Sequence, residues 1–232
     1  MIDLGVETKF LQPSIEILNL RIDEPITMIT DILLAVIFLL AFIRLGKLEY
    51  AGKALRYFKY YFLILCLGAL TGGLLGHAFQ YRLAEEWKLV SWSLTLGSVA
   101  LMVQALLEIA SPLIEKRIVR MISCLNVLLF FLAFFLTLRS VEFNPVKYYS
   151  IFGLVVMAGS LCFYIYRRTA NKGVLILMGG VGIGFLSAIT FSFQWGFSPW
   201  FNHRDLSHII LCFSAYYVYK GVVMVVKSEI SS

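Results

Sequence analysis

Seven long apolar stretches constrain this chain more than any other feature of its sequence. An α-helix needs about 20 residues to cross the hydrocarbon core of a bilayer. Windows close to this length lie at residues 26–43, 60–79, 91–110, 121–138, 148–166, 174–193 and 206–226. The connections between them are short, so we expect antiparallel neighbouring helices packed in one bundle. The sequence therefore predicts an all-α, polytopic membrane protein that folds as a seven-transmembrane-helix bundle.

The composition excludes an ordinary soluble domain. Hydrophobic residues make up 60% of the chain and charged residues only 15%, whereas soluble domains have about 45–50% and about 25%. The net charge of +6 does not by itself indicate nucleic acid, because basic residues in a membrane protein report its orientation. We expect membrane lipids as partners, no nucleic acid, and a multi-pass location in the plasma membrane, or in the inner membrane of a bacterium.

The distribution of basic residues predicts the orientation. Thirteen of the 20 Lys and Arg residues lie in the first, third and fifth connections or near the C-terminus, and seven lie on the opposite side. Because cytoplasmic loops are enriched in Lys and Arg, the N-terminus is expected outside and the C-terminus inside. The predicted parts are an extracytoplasmic tail (residues 1–25), the seven-helix domain (residues 26–226) and a short cytoplasmic tail (residues 227–232).

Two further patterns bear on packing. Glycines recur every four residues in the second and sixth apolar stretches, and small residues at this spacing let helix backbones approach closely. They are Gly68, Gly72 and Gly76, then Gly180 and Gly184.

The N-terminal tail contains apolar residues between Ile15 and Ile22. We expect this segment to lie on the outer membrane surface or to cap the bundle, as a strand or a short helix.

Four ionisable residues inside the apolar stretches stand out. A charge in hydrocarbon is costly unless it is paired or hydrated, so each such residue needs an explanation. Asp31 lies in the first stretch, His77 near the end of the second, and Asp205 with His208 at the start of the seventh. Asp205 and His208 are three residues apart and so share one helix face. The alternating helix directions place all four at similar depth near the outer mouth.

Three interpretations of this convergence remain open. In the first, His77, Asp205 and His208 bind Zn²⁺ and leave one position for water, while Asp31 handles protons as a general base. In the second, these groups are helix caps and interfacial hydrogen bonds, with Asp205 in a first helical turn and Asn202 as a cap. In the third, they form a metal-free proton or ligand site.

This pattern resembles the CREST superfamily, which groups alkaline ceramidases, the adiponectin and progestin receptors, and lipid-remodelling proteins. His77 matches the family's histidine near the end of helix 2, and His208 matches one histidine of helix 7. The resemblance implies a seven-helix bundle with its N-terminus outside and a zinc site between these helices. The sequence departs from the family at Gly73, where the family has serine, and at Arg204, where it has histidine. The family's helix-3 aspartate has no clear equivalent. Either Asp205 replaces a histidine and Asp31 replaces the helix-3 acid, or zinc is absent.

The first functional hypothesis is therefore a zinc-dependent integral membrane hydrolase that attacks a lipid amide or ester at the outer-leaflet end of the bundle. The alternative is a non-enzymatic, receptor-like or sensor protein that binds a lipid or small ligand in the same cavity. A proton-coupled carrier is less favoured, because the acids cluster at one mouth instead of the bilayer midplane.

Overall fold

The computed structural model describes residues 12–49 and 51–230, with the backbone alone for the last two. In this part of the chain, seven helices are long and apolar enough to span a membrane. They are α1 (Pro25–Gly46), α2 (Lys53–Ala78), α3 (Glu85–Ala110), α4 (Lys116–Ser140), α5 (Asn144–Thr169), α6 (Lys172–Ser192) and α7 (His203–Ile230). The protein is 81% helical, which confirms the all-α prediction and the seven apolar helices. Most helices extend beyond the predicted windows, because the windows included only their apolar parts.

Two of the helices change their winding. The second is α-helical over Lys53–Thr71 and continues as a π-helical turn over Gly72–Ala78. A π-helical segment, Phe152–Ala158, also interrupts α5. The α-helical parts of α5 are Asn144–Ile151 and Gly159–Thr169. Such turns are rare and frequent at functional sites, and the one in α2 carries His77.

Helices α6 and α7 form a close antiparallel pair. A Cβ atom built on Gly180 would lie 2.7 Å from the backbone nitrogen of Val218, and one on Gly221 would lie 2.6 Å from that of Leu177. Only residues without a side chain permit this approach of two backbones. The contacts confirm the close packing that was predicted for Gly180.

The core and the exterior of the bundle are both apolar. A continuous buried cluster joins side chains of all the helices except α4, including Phe58, Phe62 and Leu106. Large apolar side chains also remain exposed on the outside, as Leu128 and Phe131 of α4 illustrate. An apolar exterior of this extent is unusual for a surface that faces water.

A small β-hairpin precedes the bundle. Strands β1 (Ile15–Ile17) and β2 (Leu20–Ile22) pair antiparallel, so this segment is a strand pair and not a short helix. The turn residues Leu18 and Asn19 have φ values of 53° and 63°, as two-residue hairpin turns with a left-handed conformation require. The backbone N–H of Asp23 then donates to a carbonyl at the end of α2, at 3.0 Å. The hairpin is thus joined to the end of the bundle at which α1 begins, here called the proximal end.

Candidate functional site

Asp31 is the point at which α1, α2 and α7 meet. Its side chain is buried nearly two turns into α1. One carboxylate oxygen, Oδ2, lies 3.8 Å from Nε2 of His77 on α2. The other, Oδ1, lies 3.5 Å from Nε2 of His208 on α7. The structure thus brings together three of the four predicted residues, here called the histidine–aspartate cluster.

The second nitrogen of each clustered histidine has a partner of its own. Nδ1 of His77 lies 2.5 Å from Oε2 of Glu24, and Nδ1 of His208 lies 3.0 Å from the hydroxyl oxygen of Thr30. The Thr30 hydroxyl itself donates to the carbonyl of Thr27 at 3.0 Å, so its oxygen is left to accept from the histidine. A carboxylate likewise accepts. In neutral imidazoles, both Nδ1 atoms would therefore carry the proton and both Nε2 atoms would present a lone pair towards the aspartate.

Glu24 connects the start of α1 to two other helices. Its carboxylate contacts His77 and also accepts a hydrogen bond from the guanidinium of Arg204 on α7. Burial raises the pKa of Glu24, but the hydrogen bond and charge of His77, together with those of Arg204, lower it from the ordinary 4.5 to about 2. The backbone of Glu24 is left-handed, with φ 44° and ψ 55°. Such conformations in residues other than glycine cluster at functional sites.

Asp205 belongs to the first turn of α7. Asn202 precedes this helix, and its side-chain oxygen accepts from the backbone N–H of Arg204 at 2.9 Å. The backbone N–H of Asn202 donates to Asp205 Oδ2 at 2.8 Å, so the two residues form a reciprocal cap. The Asp205 carboxylate also accepts from the Thr27 hydroxyl at 2.8 Å and from the Gln12 amide at 3.1 Å. Three donors thus surround this buried carboxylate, and Asn202 caps the helix, as in the second of the interpretations that the sequence left open.

Gln12 anchors the N-terminal segment to the same end of the bundle. Its side-chain nitrogen donates to Asp205 and to the carbonyl of Trp200, at 3.1 Å in both cases. Its side-chain oxygen accepts from the backbone N–H groups of Ile26 and Thr27, at 2.9 and 3.2 Å. These are N–H groups of the first turn of α1, which have no partner within the helix. Gln12 therefore caps α1 from a distant position in the sequence.

Gly73 makes room for Asp31. A Cβ atom at this position of α2 would lie 2.8 Å from the Cβ atom of Asp31 and 3.4 Å from the carbonyl oxygen of Met28. The third histidine of the chain, His203, is buried elsewhere, with its ring 5.3 Å from that of Phe191. The cluster is thus built from the two histidines that the sequence singled out.

The distances between the side chains of the histidine–aspartate cluster indicate how well it would fit a metal ion. Among the described residues, three or more His, Cys, Asp or Glu side chains are nowhere close enough together to hold an ion as they stand. Two ligands of a tetrahedral zinc ion lie about 3.4 Å apart, given bonds of about 2.1 Å. The two nitrogen–oxygen separations around Asp31, 3.5 and 3.8 Å, come near this value. The donor types suit zinc, but both separations are longer than this value, so binding would require the side chains to move closer together.

Sequence reasoning missed the residues that surround the cluster. Thr30 and Gln12 carry no motif, and their partners are far away in the chain: Gln12 and Asp205 are 193 positions apart. Glu24 had one signal, its place in an acidic segment directly before a helix, but nothing linked it to His77. Only the packing at the start of α1 against α2 and α7 brings Glu24 to His77 and Thr30 to His208.

Comparison with known proteins gives one family. No curated protein and no solved structure matches the chain. Residues 26–227 match a family of unknown function, DUF6962. The matched region contains Asp31, His77 and His208, and it covers most of the seven-helix bundle. The chain therefore belongs to the DUF6962 family.

Proposed function

We propose that the protein is a metal-dependent integral membrane hydrolase that cleaves a lipid amide or ester bond at the proximal end of its bundle. One observation carries the proposal: two histidine Nε2 atoms, from α2 and α7, face the buried carboxylate of Asp31. The Nδ1 atom of each histidine is hydrogen-bonded to another group. Metal-binding histidines typically use one ring nitrogen for the metal and donate the other to a carboxylate or a similar acceptor.

The membrane location rests on the seven apolar helices and on the apolar side chains outside them. Lys and Arg are concentrated at the end of the bundle opposite the cluster. By the positive-inside rule, the N-terminus and the proximal end face the outside, and the C-terminus faces the cytoplasm. The cluster then lies at the level of the outer leaflet, where the amide or ester bond of a membrane lipid is within reach.

The proposed metal ligands are His77, His208 and Asp31, with zinc as the metal. Asp205 was the third ligand predicted from the sequence, and Asp31 was the predicted general base. The contacts favour Asp31 as the third ligand and leave Asp205 as the cap of α7, because Asp31 lies between the two imidazoles while three donors already surround the Asp205 carboxylate. Two histidines and one carboxylate leave one position of a tetrahedral zinc ion open, as in catalytic zinc sites.

Zinc bound there would supply an activated water and would polarise the carbonyl of the bond to be cleaved. The residues of the chain provide the rest of the site. Glu24 and Thr30 accept from the Nδ1 atoms and so hold the two imidazoles in place. Asp205 and Gln12 hold the start of α7 against the start of α1, which keeps His208 and Asp31 on facing surfaces.

The test is elemental analysis of the detergent-purified protein, prepared without chelator. We expect about one zinc per chain, as one three-ligand site would hold. The variants His77→Ala, His208→Ala and Asp31→Asn should lose the metal. One matched control should retain it: His203→Ala removes the histidine outside the cluster. Asp205→Asn, which changes the acid that caps α7, is compared directly with Asp31→Asn. Size-exclusion chromatography establishes that each variant is folded.

A lipid hydrolysis screen on amide and ester substrates follows, with His77→Ala as the inactive reference. A well-folded wild type that contains no zinc would contradict the hydrolase and would favour the receptor-like bundle. Metal loss in Asp205→Asn with retention in Asp31→Asn would restore the ligand set predicted from the sequence. Zinc without turnover of any lipid would favour a metal-containing binding protein.

A further inference from the structure

Glu24 is placed to decide which nitrogen of His77 carries a proton. Its Oε2 lies 2.5 Å from Nδ1 of His77, and its Oε1 accepts from Nη1 of Arg204. The contact is largely shielded from water, since the two side chains are 18% and 21% exposed. We infer that Glu24 is a positioning residue: in the neutral form of His77, it accepts a hydrogen bond from Nδ1 and so leaves Nε2 unprotonated and directed at Asp31. This inference rests on the proposed function, in which that Nε2 atom binds the metal.

The backbone around Glu24 holds its carboxylate in this position. Its carbonyl accepts the first intrahelical hydrogen bond of α1, from Met28 N at 3.0 Å. The preceding residue, Asp23, donates its backbone N–H to the carbonyl of Ala78, also at 3.0 Å. Ala78 follows His77 in the π-helical turn of α2. Backbone hydrogen bonds therefore fix both Glu24 and the turn that carries its partner, and the left-handed conformation of Glu24 turns the chain between them.

Arg204 acts on the site through Glu24. It lies four residues before His208 on α7 and therefore on a neighbouring part of the same helix face. Its guanidinium holds the second oxygen of the Glu24 carboxylate, which leaves the first oxygen to His77. One carboxylate thus connects the two helices that contribute the clustered histidines.

The position of the proton on the His77 ring distinguishes the positioning role of Glu24 from a merely structural ion pair. An ion pair that only joined α1 to α7 would not determine the tautomer of His77. The chain contains three histidines, so protein labelled with ¹⁵N in its histidine rings has a small number of ring signals. The ¹⁵N chemical shift separates a protonated ring nitrogen from one that carries a lone pair.

The experiment is ¹⁵N NMR of histidine-labelled, metal-free protein in detergent at alkaline pH. His77 is assigned by the signals that His77→Ala removes. We expect the wild-type proton on Nδ1 of His77, and Glu24→Ala should let it move to Nε2. Glu24→Gln should largely retain the wild-type tautomer, because an amide oxygen can still accept from Nδ1–H. The matched control is Asp23→Ala, which removes the neighbouring acid, a partner of Arg21 at 2.7 Å, and should leave His77 unchanged.

Zinc affinity gives a second readout. Loss of an outer partner of a ligating histidine weakens metal binding by about 10–100-fold. We expect a loss of this order for Glu24→Ala, a smaller loss for Glu24→Gln and none for Asp23→Ala. A titration of chelator-treated protein with zinc and a competing dye measures these affinities.

The outcomes separate this inference from the proposed function. A His77 proton on Nε2 in the wild type, or an unchanged tautomer in folded Glu24→Ala, would overturn the role of Glu24 whether or not zinc binds. A wild type with the expected tautomer but no affinity for zinc would overturn the hydrolase, while the role of Glu24 in placing the proton would stand. If Glu24→Ala does not fold, the wild-type tautomer and Glu24→Gln still decide the question.

Discussion

Asp31 can lie between two histidines only because the residue that faces it on α2 has no side chain. A Cβ atom on Gly73 would come within 2.8 Å of the Cβ atom of Asp31. The two atoms belong to rigid parts of two packed helices, so neither can rotate away. The glycine and the aspartate are therefore a matched pair.

We predict that Gly73→Ala displaces Asp31 and destabilises the protein by about 1–3 kcal/mol, the usual result of overpacking. Zinc binding should weaken as well, because Asp31 would move relative to both imidazoles. Gly76→Ala is the matched control in the same π-helical turn, since its added Cβ would meet only Lys88 Cγ, at 3.9 Å. Thermal unfolding in detergent and zinc content measure both effects. If Gly73→Ala and Gly76→Ala lost stability and zinc to the same extent, the pairing of Gly73 with Asp31 would be contradicted.

The residues of the cluster could be predicted, but their roles could not. Asp31, His77 and His208 were identifiable because position along a membrane-spanning helix gives depth, and alternating helix directions place similar depths together. Asp31 faces the imidazoles, whereas the carboxylate of Asp205 is hydrogen-bonded to other donors. For Asp205 those donors include Gln12 and Thr27, 193 and 178 positions away. No local pattern in the sequence encodes such partners.

At the scale of elements, the contact between α6 and α7 sets the position of His208. The backbones approach so closely at Gly180 and Gly221 that a methyl group at either position would meet a backbone nitrogen of the other helix. The Ser187 hydroxyl of α6 also donates to the carbonyl of Ser207, which precedes His208, at 2.9 Å. The position of α7, and with it the imidazole of His208, therefore depends on this contact.

Gly180→Ala should force the two helices apart, since its Cβ would lie 2.7 Å from Val218 N and 2.8 Å from Val218 Cγ2. We expect a destabilisation of about 1–3 kcal/mol, seen as a lower midpoint of thermal unfolding in detergent. Gly179→Ala, one residue away, should be neutral or slightly stabilising, because nothing lies within 4 Å of its added Cβ and alanine favours a helix. A larger loss in Gly179→Ala than in Gly180→Ala would contradict the packing of this pair.

The helices themselves were the most predictable elements, because length and apolarity suffice to identify them. The π-helical turn over Gly72–Ala78 was not predictable, because a single wide turn leaves no periodic pattern of its own. The hairpin over residues 15–22 was also ambiguous, since its left-handed turn uses Leu18 and Asn19 without the glycine that usually marks such turns. Both elements lie beside the site, where local structure departs most from regular patterns.

At the scale of the whole molecule, the side on which the cluster lies determines which lipids could reach it. Seven spans would place the two termini on opposite sides of a membrane, with thirteen of the 20 basic residues on the side of the C-terminus. We therefore expect the hairpin and the proximal end outside, and the connection between α5 and α6 inside. Two exposed residues suit a test of this orientation, Asn19 in the hairpin turn and Ala170 in that connection.

The test uses single cysteines, Asn19→Cys and Ala170→Cys, in a background from which the four native cysteines have been removed. A membrane-impermeant thiol reagent should label Asn19→Cys in intact cells, and Ala170→Cys only after the membrane is permeabilised. The reverse pattern would place the cluster at the cytoplasmic leaflet, so that a lipid exposed only on the outside could not be its substrate. Labelling of both in intact cells would indicate that the chain inserts in two orientations, because the excess of basic residues on one side is too small to select one. The expected pattern would place His77, His208 and Asp31 of every copy at the outer leaflet, where the proposed lipid substrate lies.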